Sequence, residues 1–139
     1  MQIMFVCEGN TCRSPMCACV LRAGLKKAGL NVKVISRGIR AVDGSPINPK
    51  ARKALLKKGF RAGNFKSKRL QRQDAEKSNI IITMNDAVKR LFGGNKTVSA
   101  KDITGFEIAD PYGLEQTVYD ETLTLIEKMC DEIIKELKK

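Results

Sequence analysis

A chain of 139 residues, 42% hydrophobic and 29% charged, can bury roughly two-thirds of its unfolded surface in one core, which excludes both a disordered chain and a disulfide-dependent miniprotein. Twenty-six Lys and Arg against fifteen Asp and Glu give a formal charge of +11, so the partners to weigh are anionic: a phosphorylated or acidic substrate, nucleic acid, or an acidic lipid surface. Five cysteines, four of them within residues 7–19, do not space as a disulfide framework and point to a reducing, cytoplasmic setting.

The first apolar run, Ile3-Met4-Phe5-Val6, is too short for a signal-peptide core or a membrane span and reads as a buried strand. A helix follows near Pro15, with Ser14 as N-cap, Pro15 at the first helical position and Gly29 as its stop. Its Cys17, Val20, Leu21, Gly24 and Ala28 share one face. Val32-Lys33-Val34-Ile35 reads as a second strand, and Pro49 opens a helix through Leu55 and Leu56 to Gly59. Residues 50–72 hold ten basic side chains and no acidic one. This is either a solvated helix and loop or a surface that steers acidic partners. Few aromatics, no tryptophan and no RNP pattern rank nucleic acid below a phosphorylated protein as partner.

Ile80-Ile81-Ile82 predicts a third strand, a short helix follows Asn85 and ends before Gly93-Gly94, and Lys96-Thr97-Val98 is a weaker fourth strand. Residues 101–116, with Gly105, Pro111 and Gly113, read as an irregular loop. From Glu115 a long helix carries Tyr119, Leu123, Ile126, Cys130, Ile133 and Leu137 on a single core-facing stripe. Strands alternating with helices predict one α/β domain over residues 1–139, built on a parallel sheet, with functional loops at the carboxyl ends of the strands.

The turn between the first strand and first helix carries the chemistry: Cys7-Glu8-Gly9-Asn10-Thr11-Cys12-Arg13-Ser14. Unpaired N–H groups at a helix start converge on one anion. Gly9 and Asn10 tolerate the left-handed backbone that such wrapping requires, and Arg13 can hold two phosphate oxygens at once. Cys7 would lie under the phosphorus, where only its thiolate is a nucleophile; the helix dipole, the amides, Arg13 and the Ser14 hydroxyl all favour that anion. The chain has no histidine, so a Cys–His pair is excluded and the leaving-group proton must come from Asp, Glu, Lys, Tyr or water. A metal site on Cys7, Cys12, Cys17 and Cys19 would lack the usual Cys-x2-Cys knuckles. The plain alternative is a buried cysteine in an ordinary turn.

Val6-Cys7-x-Gly9-Asn10-x-Cys12-Arg13-Ser14-Pro15, with Asp110-Pro111-Tyr112 far downstream, resembles the low-molecular-weight protein tyrosine phosphatase family over essentially the whole chain. The resemblance implies a three-layer α/β fold whose four-stranded parallel sheet, in order 2-1-3-4, has helices on both faces. It also implies a cysteinyl-phosphate intermediate, a phosphorylated protein as substrate, and neither cofactor nor metal. By position, Cys7 would be the nucleophile. Glu8, Gly9, Asn10, Thr11, Cys12, Arg13 and Ser14 would wrap the phosphate. Asp110 would act as general acid and then base, and Tyr112 would wall the substrate slot. As a bare motif Asp-Pro-Tyr-Gly is also a good turn. Cys12 is a candidate for a reversible disulfide with Cys7 or else a packed small hydrophobe, and Cys17 and Cys19 read as core residues.

Two features bear on substrate. Thr11 stands where tyrosine-directed members usually carry a branched apolar residue; bacterial protein arginine phosphatases, a branch of the family, are similar in having Thr there and Gly after the Asp-Pro-aromatic. Arg37 and Arg40, expected in the loop after the second strand, place cations near the slot, where Arg40 would repel a cationic group or attract acidic flanks. Phosphotyrosine and phosphoarginine both stay open. Arsenate reductases share the loop but relay a disulfide through later cysteines, and residues 20–129 contain none. A non-catalytic anion-binding protein is the remaining class.

Overall fold

The computed structural model describes residues 1–92 and 94–139; Gly93, half of the Gly93-Gly94 helix stop, lies outside the described residues. In chain order the elements are β1 (Gln2–Cys7), α1 (Arg13–Ala28), β2 (Lys33–Gly38), α2 (Pro49–Lys57), α3 (Arg72–Lys77), β3 (Ile80–Thr83), α4 (Asp86–Lys89), β4 (Thr97–Ser99), α5 (Ala100–Thr104) and α6 (Gln116–Leu137). The strands form one parallel sheet in the order β2-β1-β3-β4, as the resemblance implied.

Both faces of this sheet are covered, which is why β1 reads as an unbroken apolar run. Ile3, Phe5 and Cys7 face a large core shared with α1, α2, α5 and α6, whereas Met4 and Val6 face a smaller one with Ile81 and Val88, flanked by Ala75 of α3. Of the expected stripe of α6, Tyr119, Leu123, Ile126, Cys130 and Ile133 are buried and Leu137 is half-buried at the helix end, each large buried apolar side chain contributing about 1.5–3 kcal/mol of transfer free energy. Pro49 opens α2 at its first position, and the Asn48 side chain caps it by accepting from Lys50 N at 2.8 Å.

The start of α1 differs from the expectation. The helix begins at Arg13 with Cys12 in the cap position and no side-chain cap bond, so Pro15 sits at the third helical residue, and the Ser14 hydroxyl is directed at Cys7 instead. Gly29 does close the helix, in a left-handed conformation with φ 71°. Two short helices had no periodic stripe to reveal them: α3 buries no residue, and α5 is a single turn inside the stretch expected to be loop, held by reciprocal Ser99 and Asp102 caps. The helix after Asn85 stops at Lys89, well short of the glycine pair. β2 extends to Gly38, so Arg37 lies within the strand rather than after it.

From β1 the chain crosses to β2 on one side of the sheet, and later returns to β3 on the other. The carboxyl end of β1 is therefore the switch point where an open α/β sheet leaves a crevice, and residues 7–14 occupy it.

Candidate active site

Between β1 and α1 the backbone must turn within five residues, and Asn10 makes this possible by adopting φ 57°, alone among the described non-glycine residues in taking a positive φ. The fully buried Asn10 is then held on every side. Its N–H donates to Cys7 Sγ at 3.2 Å, its Nδ2 donates to Ser14 Oγ at 2.7 Å and Ser36 Oγ at 3.0 Å, and its Oδ1 accepts from Lys68 N at 2.9 Å. Ser14 Oγ lies 2.9 Å from Cys7 Sγ. Because that oxygen already accepts from Asn10, its own proton is free to point at the sulfur. Cys7 thus has two hydrogen-bond donors fixed on its sulfur by the loop itself.

The rest of the loop hangs from neighbouring backbone. Ile39 N donates to Cys7 O at 3.1 Å, Arg40 N to Glu8 O at 2.9 Å, and Asn48 N to Thr11 O at 2.9 Å. Gly38 makes the close approach possible: a Cβ there would meet Glu8 O at 2.7 Å and the Asn10 Cβ at 2.9 Å. Neither Ser36 nor Gly38 was singled out from sequence. The available signal was a serine alternating with Val34 on one face of β2, followed two residues later by glycine.

Over the loop lies a cavity of about 240 Å³ lined by Cys7, Glu8, Gly9, Asn10, Thr11, Cys12, Arg13, Arg40, Asp110 and Tyr112. Ser14 is the one expected phosphate-binding residue behind the loop rather than on the cavity. Arg13 is buried and tethered, its Nη1 donating to Ile108 O at 3.0 Å and its Nη2 standing 3.7 Å from Asp110 Oδ2. Asp110 also forms the expected turn, accepting from Tyr112 N at 3.1 Å. The turn closes with Leu114 N donating to Pro111 O, around Gly113 at φ 80°. Tyr112, 71% exposed, stands at the cavity mouth.

The other cysteines differ from Cys7. Cys12 is buried with Tyr119 Oη 3.7 Å from its sulfur, and burial pushes its thiol up, as it does the Tyr119 phenol. Cys17 is wholly buried and shifted further the same way, and Cys19 is half-buried with its thiol 3.3 Å from Arg61 O. Arg37 leaves the site altogether: its Nε bonds Asp74 Oδ2 at 3.0 Å on the far side of β2. Arg40 remains, exposed on the rim.

Residues 2–139 match the family described as low molecular weight phosphotyrosine protein phosphatase. A protein-arginine-phosphatase of Bacillus subtilis (strain 168) is 32% identical over 148 residues, covering 100% of this chain and 98% of the relative. A probable low molecular weight protein-tyrosine-phosphatase EpsP of Ralstonia nicotianae is 33% identical, covering 93% and 90%. Among solved structures, a mutant of the YwlE arginine phosphatase carrying a phosphorylated active-site serine superposes with a TM-score of 0.95 at 30% identity, covering 100% of this chain and 97% of that one.

Proposed function

The chain belongs to the low molecular weight phosphotyrosine protein phosphatase family, and we propose that within it this protein removes phosphate from phosphoarginine residues of proteins, acting as one domain in the cytoplasm. Five free cysteines suit that compartment, and among the described residues no helix is long and apolar enough to cross a membrane.

In this reading Cys7 attacks phosphorus in line with the P–N bond while Arg13 and the loop amides take the charge on the three equatorial oxygens. Asp110 delivers a proton to the departing guanidine nitrogen as that bond breaks, leaving a phosphocysteine. Water then attacks the phosphorus, Asp110 takes its proton, and Cys7 leaves as thiolate. The phosphorylated active-site serine of the YwlE mutant is consistent with a covalent phosphoenzyme at this position.

The observation that carries the substrate choice is Thr11 on the cavity wall. A hydroxyl there can hydrogen-bond a polar phosphoguanidinium, where a branched apolar side chain would leave its N–H groups unpaired. Phosphotyrosine is the second reading, favoured by Arg40 on the same rim, a cation adverse to a guanidinium. Side-by-side hydrolysis of phosphoarginine and phosphotyrosine peptides of one sequence decides between them. Phosphoarginine should be preferred by wild type, and Thr11→Ile should shift the ratio toward phosphotyrosine by roughly tenfold or more. An unchanged ratio would remove Thr11 from the argument, and turnover surviving Cys7→Ser would sink the mechanism.

A further inference from the structure

The cations of the basic run have different fates. Four on and just after α2 are engaged internally, Lys57 with Asp120 at 2.8 Å, Lys58 with Glu127, Lys50 with Leu114 O at 2.7 Å and Arg52 with Gly63 O at 3.2 Å, whereas Lys53 and Arg61 are exposed without a side-chain partner among the described residues. Lys66, Lys68 and Arg69 are exposed, and among the described residues their side chains have neither a hydrogen-bond partner nor a carboxylate; the same holds for Arg40. The carboxylates on this face have other partners. Asp43 Oδ1 accepts from Arg69 N at 2.7 Å, and Asp74 holds Arg37. Glu8 is exposed, at the cavity end only.

These cations are tied to the active-site loop through backbone. Residues 38–40 hydrogen-bond the loop at Cys7 O and Glu8 O. On their other side Gly38 N donates to Lys68 O at 3.0 Å and Leu70 N to Gly38 O at 2.9 Å. Lys68 N also donates to Asn10 Oδ1 at 2.9 Å behind the loop, and two strand spacings of ~4.8 Å put residues 68–70 roughly 10 Å from the Cys7 backbone, a distance an extended peptide covers in about three residues. Lys66, Lys68 and Arg69 line a second concavity, of about 340 Å³. The aromatic residues of this stretch, Phe60 and Phe65, pack against the core and offer no platform for stacking bases.

We propose that Arg40, Lys66, Lys68 and Arg69 form a strip that recognises acidic side chains two to four residues from the phosphorylated residue of a protein substrate. The proposal rests on the phosphatase reading and extends it from the phosphate to the flanking sequence. Its test compares kcat/KM for phosphoarginine and phosphotyrosine peptides with acidic or neutral flanks, in wild type and Lys66→Gln/Arg69→Gln. The expected result is a preference of about tenfold for acidic flanks at low salt, fading in about 0.5 M salt and cut about fivefold in the double variant, with p-nitrophenyl phosphate turnover unchanged. Equal treatment of both peptides by wild type, or an undiminished preference in the variant, would overturn it. So would inhibition by a single-stranded RNA oligonucleotide without any flank preference, which would assign the strip to nucleic acid. Absence of p-nitrophenyl phosphate turnover in wild type would defeat the phosphatase reading instead. Fluorescence anisotropy of the same peptides on Cys7→Ser would then still decide the strip.

Discussion

Arg13 and Asp110 face each other at 3.7 Å across the cavity, the guanidinium side chain 5% exposed and the carboxylate 50% exposed. The buried partner is locked by Ile108 O, while the exposed one can swing toward a leaving group. That asymmetry matches the roles proposed for them, a fixed phosphate clamp and a mobile proton carrier.

Arg13→Lys should keep the charge but lose the two-pronged geometry and the bond to Ile108 O. A fall in kcat/KM of roughly a hundredfold on p-nitrophenyl phosphate is expected; an effect below threefold would show that a point charge suffices. Asp110→Asn should slow substrates with poor leaving groups by about 10²- to 10³-fold and spare those with good ones. A leaving-group dependence identical to wild type would remove Asp110 from proton transfer.

Asn10 joins Cys7, Ser14, Ser36 and Lys68 in one network. Asn10→Ala should cost about 1–3 kcal/mol in urea unfolding by stranding buried partners, and should lower activity further by freeing the loop. Ser36→Ala, which removes one acceptor at the network's edge, should do less of both.

Gly38→Ala should damage the loop by contact rather than by backbone angle, because the new methyl group meets Glu8 O at 2.7 Å, against backbone that cannot yield cheaply. A loss of about 1–3 kcal/mol is expected, with phosphate affinity weakened in parallel. Wild-type inhibition by inorganic phosphate in Gly38→Ala would contradict this account.

Burial holds the Cys12 thiol above its ordinary range, so at neutral pH iodoacetamide should modify Cys7 first and Cys12 only after unfolding. Peroxide should convert Cys7 to a sulfenic acid that Cys12 resolves as a disulfide, releasing water. Dithiothreitol should therefore restore peroxide-treated wild type but not Cys12→Ser. Equal recovery of the two proteins would leave Cys12 as a packing residue.

Asp102 has its carboxyl lowered from 3.8 to about 2, first by the Lys89 hydrogen bond and then by Ser99 N. A depressed carboxyl stabilises the folded state above its unfolded value and loses that contribution as pH falls toward the folded one. The Tm difference between wild type and Asp102→Asn should thus be constant above about pH 4 and vanish on acidification toward pH 2. Its solvent exposure should make that difference small and salt-sensitive.

The alternation of β1, β2 and β3 with amphipathic α1 and α6 was written in local patterns, because buried parallel strands and core-facing helix stripes each impose a period on the residues themselves. So was the content of the loop, since a left-handed turn, a helix start and a guanidinium are local requirements, met by Asn10, Arg13 and their neighbours. What residue patterns could not specify is which distant segments support that loop. Ser36, Gly38, Ile108 and Lys68 act through backbone atoms, a single hydroxyl or the absence of a side chain, and none of these leaves a periodic trace. Arg37 and Arg40, three residues apart, look alike in sequence. Only the end of β2 sends one to Asp74 and the other to the cavity rim, and the pairing of Lys57 and Lys58 within the basic run was likewise decided by the Asp120 and Glu127 carboxylates that α6 brings near.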